Sequence, residues 1–151
     1  MQFEISREAL IKPLQLVTGV VERRQTLPVL SNVLLALDNK TLSLTGTDLE
    51  VELTGSVAVD SAASAGEITV PARKLMDICK SLPDSATLKF ELAEDKLKIQ
   101  SGRSRFSLST LPATDFPGVE ESSGTLPKTP KPLKCEKLAK LYHHLYLSIL
   151  V

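Results

Sequence analysis

The feature that most constrains this chain is an internal repeat. Residues 1–55 read as a strand, a helix and three strands, and residues 67–111 read the same way again. At an offset of 65, Phe3, Ile5, Leu10, Ile11, Leu14 and Val17 fall on Ile68, Val70, Leu75, Met76, Cys79 and Leu82. At an offset of 55, Val33, Leu35, Leu37, Leu42, Leu44, Val51 and Leu53 fall on Leu88, Phe90, Leu92, Leu97, Ile99, Phe106 and Leu108. Every one of these positions is apolar. The ten-residue difference between the offsets is a longer connection in the first copy, around VERRQTLPVLSN. The pattern predicts an α+β domain of two βαβββ units related by pseudo-two-fold symmetry, with both helices on one face of the sheets.

Local signals agree with the repeat. QFEIS is the first strand, and Ser6 is placed to cap a helix that has Glu8 in its first turn. Pro13 lies inside that helix, where it removes a backbone hydrogen bond and is expected to kink it. Strands are expected at 32–38, 41–46 and 49–55, the first two joined by Asn39-Lys40. In the second copy, EITV leads to Pro71 at a helix start, and strands are expected at 86–92, 96–102 and 104–111.

The chain has 151 residues, 42% hydrophobic and only 4% aromatic without a tryptophan, so its core must be aliphatic. Cys79 and Cys135 are too few for a disulfide framework and suit a reducing compartment. There is no apolar run long enough to span a membrane, and MQFEISREAL does not read as a targeting peptide; a cytoplasmic location without membrane partners is expected. The formal net charge of zero hides an asymmetry. Residues 1–121 carry 13 basic and 17 acidic side chains, whereas 122–151 carry five lysines and one glutamate. Contact with a polyanion would therefore rest on a local patch.

Such a patch is available. If each helix buries its apolar stripe on sheet, the first presents Arg7, Lys12 and Gln15 outward with Arg23 and Arg24 beyond, and the second presents Arg73, Lys74 and Lys80. A solvated face is the ordinary reading of such residues, and phosphate contact without base readout is the functional one. The stretch SGRSRFSLSTLP is a second signal. On a strand it sets Arg103, Arg105 and Ser107 on one face and Ser104, Phe106 and Leu108 on the other.

ERRQTLPVLSNVLL, LSLTGTDLEVEL, VPARKLMDICKSLP and SGRSRFSLSTLPATDFP together resemble the N-terminal domain of the bacterial DNA polymerase III beta subunit, the sliding-clamp family of replication. The resemblance runs from Met1 to about Glu121. It implies one domain of three in a homodimeric ring around double-stranded DNA, with helices lining the hole. It implies a processivity factor, an accessory to the DNA-directed DNA polymerase and not an enzyme, whose partners are DNA, the polymerase, the clamp loader and other clamp subunits. By position, Arg24 and Arg73 match family residues that touch the DNA backbone, and Lys12 and Lys80 are further candidates for the lining. Phe106 and Leu108 resemble the apolar anchors of the contact with the third domain of a partner chain, and Lys74, Arg103 and Arg105 resemble its ion-pairing rim. The plain alternative for Phe106 and Leu108 is a place in the core, as their repeat mates suggest.

The family pattern is lost from Ser122. Residues 122–133 read as a Pro/Lys-rich linker, and 134–151 place Leu138, Leu141, Leu145 and Ile149 at helical spacing in a possible short amphipathic helix. This leaves a rival function, a protein-interaction module that acts through the tail helix and has no DNA role. Catalytic and cofactor signals are weak. His143, His144 and Cys135 lack a second ligand pair at metal spacing, and LTGTDLE lacks the glycines of a phosphate loop, so no metal or cofactor is expected. Cys79 reads as a small core residue, and Asp48, Glu50 and Glu52 as a solvated strand face.

Overall fold

Strand β1 (Gln2–Ser6) runs directly into helix α1 (Arg7–Thr18), and the junction is set by Ser6, whose Oγ accepts a hydrogen bond from the Ala9 amide at 3.3 Å. The computed structural model describes residues 1–21 and 27–118. The expected linker at 122–133, the tail at 134–151, Arg24, Cys135, His143 and His144 lie outside the described residues. After a 3-10 turn at Pro28–Ser31 come β2 (Asn32–Asp38), β3 (Thr41–Thr47), β4 (Glu52–Ala58) and β5 (Ser61–Ser64). The second copy follows as β6 (Gly66–Pro71), α2 (Ala72–Ser81), β7 (Thr87–Ala93), β8 (Lys96–Ser101), β9 (Ser104–Ser109) and β10 (Leu111–Pro112), closed by a 3-10 turn at Ala113–Asp115. The expected α+β repeat is present, with one further short strand in each half. Among the described residues no helix is long and apolar enough to cross a membrane.

The halves are interlocked. One antiparallel sheet has the order β5-β1-β7-β8-β9, and the other β10-β6-β2-β3-β4. The first strand of each half thus pairs with a hairpin from the other half. Phe3 on β1 is in register with Phe90 on β7, and their rings stack at 4.6 Å with planes 6° apart. The main, largely aliphatic core runs through both halves, including fully buried Ile5, Leu14, Leu35, Leu44, Leu75 and Leu88, and a smaller cluster joins Val29, Leu30, Leu34 and Phe116. At about 1.5–3 kcal/mol per fully buried side chain, this shared interior is the main stabilising term.

Helix α1 passes through Pro13 without ending and lies close against β3 and β4. The approach is possible because the sheet is bare beneath it. A Cβ on Gly55 would come within 2.9 Å of the Pro13 Cβ, and one on Gly46 within 2.6 Å of the Val17 Cγ1. The same region corrects the repeat register. Leu42 pairs with Val57 and Leu44 with Gly55, whereas Leu97 pairs with Leu108 and Ile99 with Phe106. The structural counterparts of Phe106 and Leu108 are therefore Gly55 and Val57, not Val51 and Leu53. The cause is a looped-out Asp48–Val51 where the second hairpin turns tightly at Gly102-Arg103.

That loop also removes Asp48 and Glu50 from any strand face. Asp48 Oδ1 accepts from the amides of Glu50 at 2.9 Å and Val51 at 2.7 Å. These amide bonds, Val51 first, hold its carboxyl below the usual range. Leu49 consequently takes φ 79° and, like Val51, is exposed.

Arg7 departs from expectation too. It is not on the solvent face: its Nε donates to the Cys79 carbonyl at 2.8 Å, its guanidinium pairs with Asp84, and only 14% of its side chain is exposed. Cys79 itself is fully buried, and burial pushes its thiol from 9.0 up to about 11, with Arg7 pulling the other way.

Two outcomes follow from this packing. Gly55→Val should lower the urea-unfolding free energy by about 1–3 kcal/mol, because a side chain there must displace α1. Cys79 should resist iodoacetamide at pH 8 until the chain unfolds, as read by mass mapping of its peptide. A thiol whose proton is held more tightly when folded stabilises the fold below its ordinary pKa and loses that contribution as pH climbs from about 9 to about 11.

Candidate nucleic-acid and subunit surfaces

The sequence of each helix decides what the pair presents. On α1, Leu10, Leu14 and Val17 are buried, so Glu8, Lys12, Gln15 and Gly19 share the opposite stripe. On α2, Leu75, Met76 and Cys79 are buried, and Arg73, Asp77 and Lys80 follow one another at four- and three-residue steps on the exposed side. The helices pack side by side. The groove between them is lined by Gln15, Thr18, Arg73, Met76, Asp77 and Lys80, among others.

Arg73 and Lys80 are thus brought to one groove. Arg73 is steadied by a hydrogen bond from its Nη2 to the Val21 carbonyl at 3.2 Å, beside the start of the segment that carries Arg24. Lys12 is exposed on α1 but is not among the groove-lining residues. Asp77 tempers the positive field, and its place four residues from Arg73 and three from Lys80 puts it on the same helix face. The Thr18 hydroxyl is occupied internally, donating to the Leu14 carbonyl at 2.6 Å. No group of three or more metal-ligating side chains occurs among the described residues.

The second surface is the edge of the first sheet. Strand β9 is its last member, and among the described residues no strand covers the outer side. Arg105 is exposed on the outer face of β9, and Arg103 sits in the turn that precedes the strand. Lys74 is exposed on α2. Phe106 and Leu108 both face the core side, but unequally. Leu108 is only 8% exposed and belongs to the main core, whereas Phe106 is half-buried at its rim. The edge accordingly presents Phe106 and offers little of Leu108.

Comparison with known proteins matches this geometry to a lineage. The family described as "DNA polymerase III beta subunit, N-terminal domain" matches residues 1–120. The chain belongs to that family. It is 68% identical over 126 residues to a Pseudomonas aeruginosa beta sliding clamp, covering 83% of this chain and 34% of that protein. A Vibrio harveyi beta sliding clamp is 53% identical over 121 residues, covering 80% and 83%. The crystal structure of the DNA polymerase III subunit beta from Pseudomonas aeruginosa superposes with a TM-score of 0.75 at 66% identity, covering 83% of this chain and 34% of that one. Caulobacter crescentus pol III beta gives a TM-score of 0.76 at 43% identity, covering 81% and 33%. The chain spans about a third of the length of the Pseudomonas clamp it matches.

The unequal burial of the two apolar residues predicts unequal costs. Leu108→Ala should destabilise the chain by about 2–5 kcal/mol in chemical denaturation. Phe106→Ala should cost less than the about 3–5 kcal/mol of a fully buried phenylalanine, since part of its ring meets solvent.

Proposed function

We propose that this chain acts as the first domain of a DNA sliding clamp: it lends one sector of the channel lining and one half of a subunit contact to a replication ring, and catalyses nothing itself. The observation that carries this reading is the side-by-side packing of α1 and α2, which turns Arg73 and Lys80 outward from one groove while the sheets back them. Lys12 extends that cationic surface on α1, and Arg24, which lies outside the described residues, is assigned to the DNA backbone by the family resemblance alone.

The physics suits sliding. A few arginines and lysines on rigid helices meet phosphates interchangeably along the duplex, and such contacts carry no sequence information. A closed ring keeps such weak contacts from letting the polymerase go. At the β9 edge, Phe106 supplies the apolar anchor of the subunit contact, with Leu108 behind it in the core. Lys74, Arg103 and Arg105 supply the charged rim toward acidic residues of a partner's third domain. The polymerase and clamp loader are partners of the assembled ring.

The test uses full-length clamp subunits from Pseudomonas aeruginosa. The chain should bind them, and Phe106→Ala should weaken that binding at least tenfold. Binding that follows a peptide of residues 134–151 alone would favour an interaction module instead. In a ring built with this domain in place of the clamp's own first domain, Arg24→Ala and Arg73→Ala should each shorten DNA retention. Retention should fall steeply with salt and should be the same on two unrelated duplex sequences. A free chain that preferred one base sequence would contradict the proposed mode.

A further inference from the structure

We infer that the β9 edge also accepts a second copy of this chain, the two β9 strands pairing antiparallel about a two-fold axis through Ser107. The inference concerns the same edge as the subunit contact proposed above, but it rests on a separate observation, the opposite charges at the two ends of that edge. Strand β9 starts from the Gly102-Arg103 turn, and Arg105 follows on its outer face. Its other end lies beside the turn that joins β7 to β8, where the Thr110 amide donates to the Asp95 carbonyl at 3.0 Å. That turn carries Glu94 and Asp95, both exposed. Lys96, in register with Ser109, offsets only one of the two acidic charges. One end of the edge is thus basic and the other acidic. An edge with this polarity is complementary to itself when turned through 180°.

Backbone alternation supports the same axis. Ser101 and Ser104 close a two-residue turn, so Phe106 and Leu108 exchange hydrogen bonds with β8 and the N–H and C=O groups of Arg105, Ser107 and Ser109 point away from it. Among the described residues no strand takes up those groups. A two-fold axis at Ser107 sets Arg105 of each copy opposite Ser109 of the other and brings Arg103 toward the other copy's Glu94-Asp95 turn. On the inner side, Phe106 of one copy falls in register with Leu108 of the next, whose side chain its own core already holds, so apolar contact adds little. Such a short ladder makes a weak pair.

Sedimentation equilibrium of the full chain, from about 10 to 500 µM, tests this at low and high salt. The mean mass should rise from the 16.4 kDa of one chain toward twice that value, less so at high salt. The paired substitutions R103E/R105E should hold the chain at single mass, because each end would then be acidic. E94K/D95K should do the same, because each end would be basic. An equimolar mixture of the two variants should restore the doubled mass. Ser107→Pro removes an N–H that the chain's own sheet does not use, and should abolish pairing while far-UV circular dichroism is unchanged. A wild-type chain at single mass throughout would overturn the inference, as would a pair that both variants leave intact or a mixture that stays single. A chain that remains single yet binds full-length clamp through Phe106 would sink self-pairing alone and leave the clamp reading standing.

Discussion

Strand exchange between the two halves is the constraint on which the rest of this structure depends. Neither half owns a complete sheet, because β1 leaves its own hairpin for β7, and β6 leaves its own for β2. The Phe3–Phe90 stack and the Arg7 contacts to Cys79 and Asp84 all join residues from opposite halves. The two helices are side by side because the two sheets they follow are interleaved. The last turns of α1 and the outward residues of α2 therefore form one groove.

Much of this was legible in the sequence because strands with one buried face must alternate and helices must recur every three to four residues. The residues expected in the core of β2, β3, β7 and β8 are buried almost without exception, and the Ser6 cap is where its chemistry places it. What alternation could not reveal was the looped-out Asp48–Val51. An apolar, acidic, apolar, acidic run satisfies the strand pattern whether or not it pairs. The capping of Asp48 by two backbone amides is a local interaction that such patterns do not record. The register of β4 therefore differs by four residues from the one expected.

The candidate surfaces were legible in part. That Arg73 and Lys80 lie on the exposed side of α2 follows from helical spacing alone. Their joining with Gln15 of α1 in one groove does not, since it depends on how closely the helices lie. Arg7 shows the opposite failure. Its spacing from Leu10 and Leu14 sets it beside the buried stripe, and only its charge suggested solvent; its length lets it reach the end of α2 and bury its stem. The division between Phe106 and Leu108 was equally hidden. It depends on Phe106 lying opposite a glycine in the pseudo-symmetric half: helix covers β4 at Gly55, whereas at the corresponding place on β9 a ring stands half in solvent.

The interleaving has a mechanical consequence. The β4 and β9 edges belong to different sheets, so tension applied between them pulls one sheet away from the other. The backbone passes from sheet to sheet five times between β1 and β10. Such a load passes first through the β3–β4 and β8–β9 ladders, and beyond them it must also part the interior that both sheets share.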